Sequence, residues 1–404
     1  MLKDTLYKLF YKNNKEYKAE FEKRFNSENS VHLDIMIGEN QAFFEQTVEL
    51  YKLITSIERT DKKVNTLTCD LPPVAISQYS MRCLIKEIML TNDIEGVNST
   101  RKEVDEALQS LYSNDKKKRF KGLAMKYVML LKGIPISLSS CMDIRNIYND
   151  IFLDEIKDSD PGDLPDGKIF RKNSVSVYSA AEKEIHHGLM PEEKIIKTMD
   201  SSLKILYDTN IDILFRIAIF HYLFGYIHPF YDGNGRTSRF ISSYLLSKEL
   251  NPLIGYRISY TIKENIKKYY DAFKICNHPN NKGDITPFLT MFLNVVDISE
   301  KQLCSTLEEK KEQWLFYDNA VHKLPNNDVP YVCRLYSLLI QAALFSDYGI
   351  SIDELEKHLE ISYSTVHKRL KLIPLAFIKT EKHQKLNYYK INLEEIDKYL
   401  SEHE

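Results

Sequence analysis

The stretch HPFYDGNGRTSR, from His228 to Arg239, sets a base, a carboxylate, a glycine-rich turn and two arginines side by side. Upstream, Ile211 to Ile227 is almost continuously apolar, broken only by Asp212, Arg216 and His221, and reads as a helix buried on most of its sides. Gly225 loosens its last turn, and Pro229 removes a backbone donor and disfavours helical geometry at His228. The chain is therefore expected to leave the helix at His228. Asp232-Gly233-Asn234-Gly235 is turn chemistry, tolerant of positive φ and able to gather backbone N–H groups around one anion. From Arg236 to Leu250 apolar residues return at helical spacing, so the turn opens into a helix N-terminus, where unpaired N–H groups and the dipole favour phosphate.

Arg236 and Arg239 lie three apart on one helix face, which lets two guanidinium forks grip neighbouring phosphates. Asp232 is a hard oxygen ligand, and Mg²⁺ bound to phosphates takes only one or two such carboxylates. His228, with a reference pKa near ~6.5, suits removal of a hydroxyl proton at neutral pH. A Gly-Asn-Gly turn alone would read as a plain loop. The conjunction points to phosphoryl or nucleotidyl transfer.

At every fixed position the stretch resembles the signature of the Fic family, HxFx(D/E)GNGRxxR. The resemblance implies transfer of AMP from ATP to a Ser, Thr or Tyr hydroxyl of a target protein, or of the chain itself. It implies His228 as the base and Asp232 as the Mg²⁺ ligand. Gly233, Asn234 and Gly235 become the anion hole, Arg236 the partner of the β-phosphate region, and Arg239 that of the γ-phosphate. Thr237 and Ser238 complete the implied ATP-binding segment. Relatives of the Doc kinase type carry lysine at the position of Gly235, and phosphocholine-transferring relatives often carry alanine at that of Gly233. Both glycines are present here, which favours AMP. One departure is Gly225, where many relatives have glutamate.

A second motif, Thr91-Asn92-Asp93-Ile94-Glu95-Gly96, follows a segment that places Met81, Leu84, Ile85, Ile88 and Met89 on one helical face. Gly96 is expected at C′, and Thr100 with Glu103 forms a capping box for the next helix. Glu95 then falls at a helix C-terminus, where a carboxylate needs a cation or solvent. By itself it reads as a surface residue. The string is similar, however, to the inhibitory motif (S/T)xxxE(G/N) of Fic proteins, which implies that Glu95 pairs with Arg239 and displaces the γ-phosphate. Two unit charges ~4 Å apart interact by about 4 kcal/mol at an effective dielectric near ~20, enough to shift a population a hundredfold.

Ser174-Val175-Ser176-Val177-Tyr178, within Arg171 to Ser179, alternates and reads as a short β element. By resemblance Ser174, Val175, Ser176 and Val177 form the flap that docks a target by strand addition. In Lys268 to Phe273 and Asn277, Tyr270 and Asn277 resemble the family's adenine contacts, and aromatic stacking with an amide edge suits that base. The insert His278 to Lys282 lengthens the usual spacing after them.

After a polar, helix-prone stretch from Glu300 to Lys323, Leu324 to Pro330 reads as a linker. Helices are expected over Val332 to Ala343, Ser351 to Leu359 and Ser362 to Leu372, then extended runs at Ala376 to Thr380 and Leu386 to Ile391. That order resembles a winged-helix domain. His367, Lys368, Arg369, Lys371, Lys382 and Lys385 would favour DNA phosphates, while Asp353, Glu354, Glu356 and Glu360 dilute the field. A protein-interaction role ranks above DNA binding.

The expected architecture is mainly α: a Fic-type helical bundle with a β-hairpin flap and a small C-terminal α+β domain. The expected divisions are 1–125, a helical region with the inhibitory helix ending near Glu95; 126–300, the catalytic core; 301–330, a connector; and 331–404, the winged helix. A chain of 404 residues with net charge −2 carries no global polyanion signature. No apolar span approaches ~20 residues, the start has no signal-type core, and six scattered cysteines suit a reducing cytoplasm. ATP and Mg²⁺ are the implied co-substrate and ion, and a homodimer is allowed. The alternatives are a nucleotide-sensing DNA-binding regulator and a Fic enzyme acting mainly to remove AMP.

Overall fold

Short polar side chains set many of the helix starts. Thr5, Asn13, Thr100, Ser140, Asp212 and Ser351 each accept a backbone N–H from the first turn that follows them. At Thr100 and Ser351 the reciprocal capping boxes with Glu103 and Glu354 form as expected. The computed structural model describes residues 4–111, 118–178, 184–383 and 386–403; Ser179 and Lys385 lie outside them.

Helices α1 (Leu6–Lys12) and α2 (Asn14–Phe25) lead into the antiparallel strands β1 (Ser30–Ile37) and β2 (Asn40–Glu45). This hairpin was not anticipated in an N-terminal region expected to be helical. Then come α3 (Val48–Asp70), α4 (Pro73–Ile94), α5 (Arg101–Ser110), α6 (Lys121–Leu131) and α7 (Cys141–Ser159). The flap follows as β3 (Ser176–Tyr178) and β4 (Glu184–His187). Next are α8 (Glu192–Leu206), α9 (Ile213–Ile227), α10 (Asn234–Glu249), α11 (Ile258–Glu264), α12 (Ile266–Asn277) and α13 (Thr286–Ala320). The last stretch holds α14 (Val332–Phe345), β5 (Ile350–Ser351), α15 (Ile352–Leu359), α16 (Tyr363–Leu370), β6 (Ile378–His383), β7 (Leu386–Ile391) and α17 (Leu393–Glu402). The fold is mainly α, as expected.

The chain divides into two compact units, Met1–Asp61 with Leu84–Lys301, and Lys62–Cys83 with Gln302–Glu404. In the second unit three strands pair antiparallel in the order β5-β7-β6 beside α14, α15 and α16. α17 closes the chain with Ile396 and Leu400 buried, an element the sequence reading did not include.

The first unit is built around α9, whose residues from Leu214 to Ile227 are nearly all buried. The β1–β2 hairpin is tied to this unit where Phe43 exchanges backbone hydrogen bonds with Gly283 and Ile285. The insert His278–Lys282 leads directly into that junction. Gly225 has a local reason to be small: a Cβ there would lie 2.6 Å from the Phe273 ring, which packs against α9. One face of α7 shapes the loop after α9. The Tyr148 ring stacks on Phe230 at 3.7 Å, and Phe152, one turn on, lies under Gly233.

Tyr148 is fully buried, and its hydroxyl has no hydrogen-bond partner among the described residues. Tyr148→Phe is therefore expected to leave stability unchanged or slightly raised, whereas Tyr148→Ala removes the stack and costs about 3–5 kcal/mol. Urea unfolding midpoints of the two variants check this contrast.

Candidate active site

His228 takes a left-handed conformation, φ 52°, at the C-cap of α9, with its N–H still bonded to Phe224 O at 2.9 Å. The helix thus ends where Pro229 requires. The loop returns through Gly233, φ 77°, into the first turn of α10. The Asn234 side chain closes this turn on itself, accepting from Phe230 N–H at 2.9 Å and donating to Phe230 O at 2.8 Å. The contribution of Asn234 to an anion site is therefore its backbone N–H, together with those of its neighbours in the first turn.

A guanidinium that the sequence reading passed over holds this loop. Arg171 is fully buried and donates to three carbonyls: from Nε to His228 O at 2.9 Å, from Nη1 to Asn173 O at 2.6 Å, and from Nη2 to Leu189 O at 2.9 Å. It links the histidine loop to both ends of the flap. Gly188 N–H donates to Val175 O at 3.0 Å, and Leu189 N–H to Ile227 O at 3.1 Å. In the flap Ser176 faces His187 and Val177 faces His186 in backbone register, and Ser176 Oγ lies 3.1 Å from His187 Nδ1. Ser174 is exposed just before the strand.

The two motif arginines point to different carboxylates. Arg236, its side chain 2% exposed, donates from Nη2 to Asp232 Oδ2 at 2.9 Å and from Nη1 to Glu155 Oε1 at 3.4 Å, with its guanidinium over the Phe152 ring. Arg239, also buried, reaches Glu95 Oε1 from Nη1 at 2.7 Å. Its Nε donates to Thr91 Oγ1 and its Nη2 to Thr91 O, both at 2.8 Å. Glu95 arrives there because α4 ends at Ile94 and Gly96, φ 71°, turns the chain at C′ as expected. The carboxylate passes directly over α10: a Cβ at Gly235 would lie 2.1 Å from Glu95 Oε1. Burial opposes the charge on Arg239, but Glu95, with Tyr269 and Tyr270, holds it above the usual arginine range.

Arg239 is also held from behind. Tyr269 Oη lies 2.8 Å from His221 Nε2, and His221 Nδ1 lies 2.7 Å from Ser242 Oγ. Ser242 gives its proton to Ser238 O at 2.9 Å, so its oxygen accepts from His221 Nδ1–H and His221 Nε2 accepts from Tyr269. Burial, then Arg239, pulls the His221 imidazole down to about 3, which keeps it neutral. The Tyr269 oxygen remains an acceptor for Arg239.

Thr237 and Ser238 are not brought to the mouth. Helical rotation turns both inward, where Thr237 Oγ1 donates to Gly233 O at 2.8 Å and Ser238 Oγ lies 3.2 Å from His221. Tyr270 and Asn277 share a face of α12, two turns apart. The Tyr270 hydroxyl donates to Ile94 O at 3.4 Å, and burial, then Glu95, pushes it up to about 12. Asn277 Oδ1 accepts from Tyr222 at 2.8 Å. Tyr270 thus stands beside Glu95, while the Asn277 amide is partly engaged by α9.

Asp232 is half exposed at the edge of the helix N-terminus. One exposed carboxylate beside a helix N-terminus has the donor chemistry for an ion that would arrive with phosphates and keep most of its waters. Among the described residues no group of three His, Cys, Asp or Glu side chains could hold a metal by itself.

A half-buried histidine at the end of α9, the N-terminus of α10 and two buried arginines facing carboxylates thus come together in one cluster. Residues 140–246 match the Fic/DOC family model, and this chain carries a Fic domain. The protein adenylyltransferase Fic of Drosophila willistoni is 28% identical over 184 residues, 45% of this chain and 32% of that protein. The Drosophila melanogaster protein of the same description is 29% identical over 184 residues, with the same shares. The chain therefore spans about a third of the length of these relatives. A Fic family protein from Desulfovibrio desulfuricans G20 shares the fold, with TM-score 0.53 and 18% identity over 86% of this chain and 97% of that one.

Truncating Arg171 to Ala leaves three carbonyls without their donor and is expected to cost about 3 kcal/mol, with Arg171→Lys failing to restore it because an ammonium lacks the fork. Denaturant titration measures both. Glu87, two turns before Glu95 on α4, is fully buried, and burial, against hydrogen bonds from Ser259, pushes its carboxyl up to about 7. The folded state therefore binds a proton that the unfolded state has released, so this contribution is full below pH ~4.5 and lost as pH rises through about 7. Urea midpoints from pH 5 to 8 should fall more steeply for the wild type than for Glu87→Gln.

Proposed function

We propose that this chain is a Mg²⁺- and ATP-dependent protein adenylyltransferase restrained in cis by Glu95. The observation that carries the reading is the placing of His228, at the end of α9, beside the first turn of α10, with Arg236 and Arg239 rising from that turn. The similarity to proteins described as adenylyltransferases adds to it.

A target segment adds along the flap from Ser174 to Val177 and presents a Ser, Thr or Tyr hydroxyl to His228. The neutral imidazole accepts the hydroxyl proton as the oxygen attacks the α-phosphorus of ATP. The bond from that phosphorus to its bridging oxygen breaks, pyrophosphate leaves, and AMP remains on the protein as a phosphodiester. Backbone N–H groups of Gly233, Asn234 and Gly235 stabilise the charge that develops on the phosphoryl oxygens, and Arg236 and Arg239 orient the β- and γ-phosphates. Asp232 would hold Mg²⁺, which when bound neutralises the departing pyrophosphate. Tyr270 lines the nucleobase side, with Asn277 one amide away. The fixing of Arg239 by Thr91 and Tyr269 leaves its position independent of Glu95. When Glu95 withdraws, the γ-phosphate meets an arginine already in place. All six cysteines are free thiols, which supports work in a reducing compartment such as the cytoplasm.

Glu95→Gly is expected to raise transfer of label from α-labelled ATP onto protein about tenfold or more. His228→Ala in that background should abolish it. Equal labelling by wild type and Glu95→Gly overturns the restraint; labelling that survives His228→Ala overturns the base assignment.

A further inference from the structure

The Arg236 guanidinium is shared between two carboxylates, and the one it grips more closely, Asp232, is the one an incoming ion needs. Its fork is held by its two terminal nitrogens: Nε is buried and makes no hydrogen bond among the described residues. Below the fork lies the Phe152 ring, its centroid 4.4 Å from the guanidinium carbon. Phe152 and Glu155 stand three apart on α7, on the same face, so one helix supplies both the platform and the second anion. The exposures of the two acids differ in a telling way: the Asp232 side chain is 50% exposed and the Glu155 side chain 21%. The outer acid can turn to solvent, while the inner one stays against the arginine.

We propose that Glu155 is a positioning residue for Arg236, the counter-charge that keeps the guanidinium in place while Asp232 leaves it for a divalent cation. The proposal rests on the reading of this site as an ATP site. As Asp232 turns outward to an ion, Arg236 would lose its closer anion while remaining buried. Glu155 prevents that loss from opposing metal uptake. It also competes mildly with phosphate for Arg236, so its two effects on nucleotide have opposite signs. With metal present it helps; without metal it hinders.

The test is calorimetric titration of ATP into the full chain carrying Glu95→Gly, compared with the same chain carrying Glu155→Gln in addition, in chelator and across a Mg²⁺ series. Glutamine keeps the shape and removes the charge. The Mg²⁺ concentration that half-maximally strengthens ATP binding is expected to rise about tenfold in the Glu155→Gln protein, the low end of the range for loss of a residue that supports a metal site from outside its ligands. Metal-free ATP should bind as tightly as in the parent or more tightly. A purely structural role would weaken binding in both conditions and lower the melting temperature together, and that result overturns the proposal. So does an unchanged Mg²⁺ requirement. A parent that binds no ATP in either condition overturns the nucleotide reading itself, whereas an unchanged requirement in a parent that binds ATP removes only the role of Glu155.

Discussion

Two left-handed residues, His228 and Gly233, bend the chain between two buried helices, and the site exists because that bend is held. α9 is apolar on nearly every side and cannot be moved without exposing its core. Its end is therefore a fixed point, and Arg171, bonded to the carbonyl of His228, fixes the loop relative to the flap. A non-glycine residue held left-handed costs about 1–3 kcal/mol unless its surroundings over-determine it. Here the α9 terminus, Pro229 and Arg171 together do so. The Tyr148 and Phe230 stack and the Phe152 ring then seat the rest of the turn on α7.

The charges form a second layer on this frame. Both motif arginines are buried, and a buried guanidinium without an anion is costly, so each has a carboxylate close by. In both cases that carboxylate comes from a more exposed side chain, Glu95 or Asp232, while a set of inner partners stays behind. Thr91 and Tyr269 serve Arg239, and Glu155 serves Arg236. The same arrangement therefore appears twice: a partly exposed outer carboxylate against the guanidinium, and inner groups that hold the arginine in place. Gly235 is what lets the outer anion of Arg239 approach, since any side chain there would occupy the place of the Glu95 carboxylate.

The local features were readable because they depend on near neighbours in sequence. The end of α9 at Pro229, the turn at Gly96, and the capping boxes of Thr100 with Glu103 and of Ser351 with Glu354 all involve residues within about four positions of one another. The β1–β2 hairpin was missed because its register is bulged, its strands are half polar, and it is completed by residues near 283–285. The polar stretch from Glu300 was readable as helix-prone for the same local reason, and α13 runs through it to Ala320.

The sequence by itself marked the segment from His228 to Arg239 as a candidate site and Glu95 as a partner for Arg239, because histidine, turn and arginines are contiguous and the motif residues keep fixed spacing. Only the tertiary structure decided which groups hold those residues. Arg171 meets His228 across 57 positions, Glu155 meets Arg236 across 81, and Thr91 meets Arg239 across 148. It also decided that Thr237 and Ser238 face the core, which follows from the rotation of α10 against α9 and from no property of a Thr-Ser pair. A single buried arginine or glutamate carries no periodic signal. Its role appears only when packing removes water from around it and leaves one partner in reach.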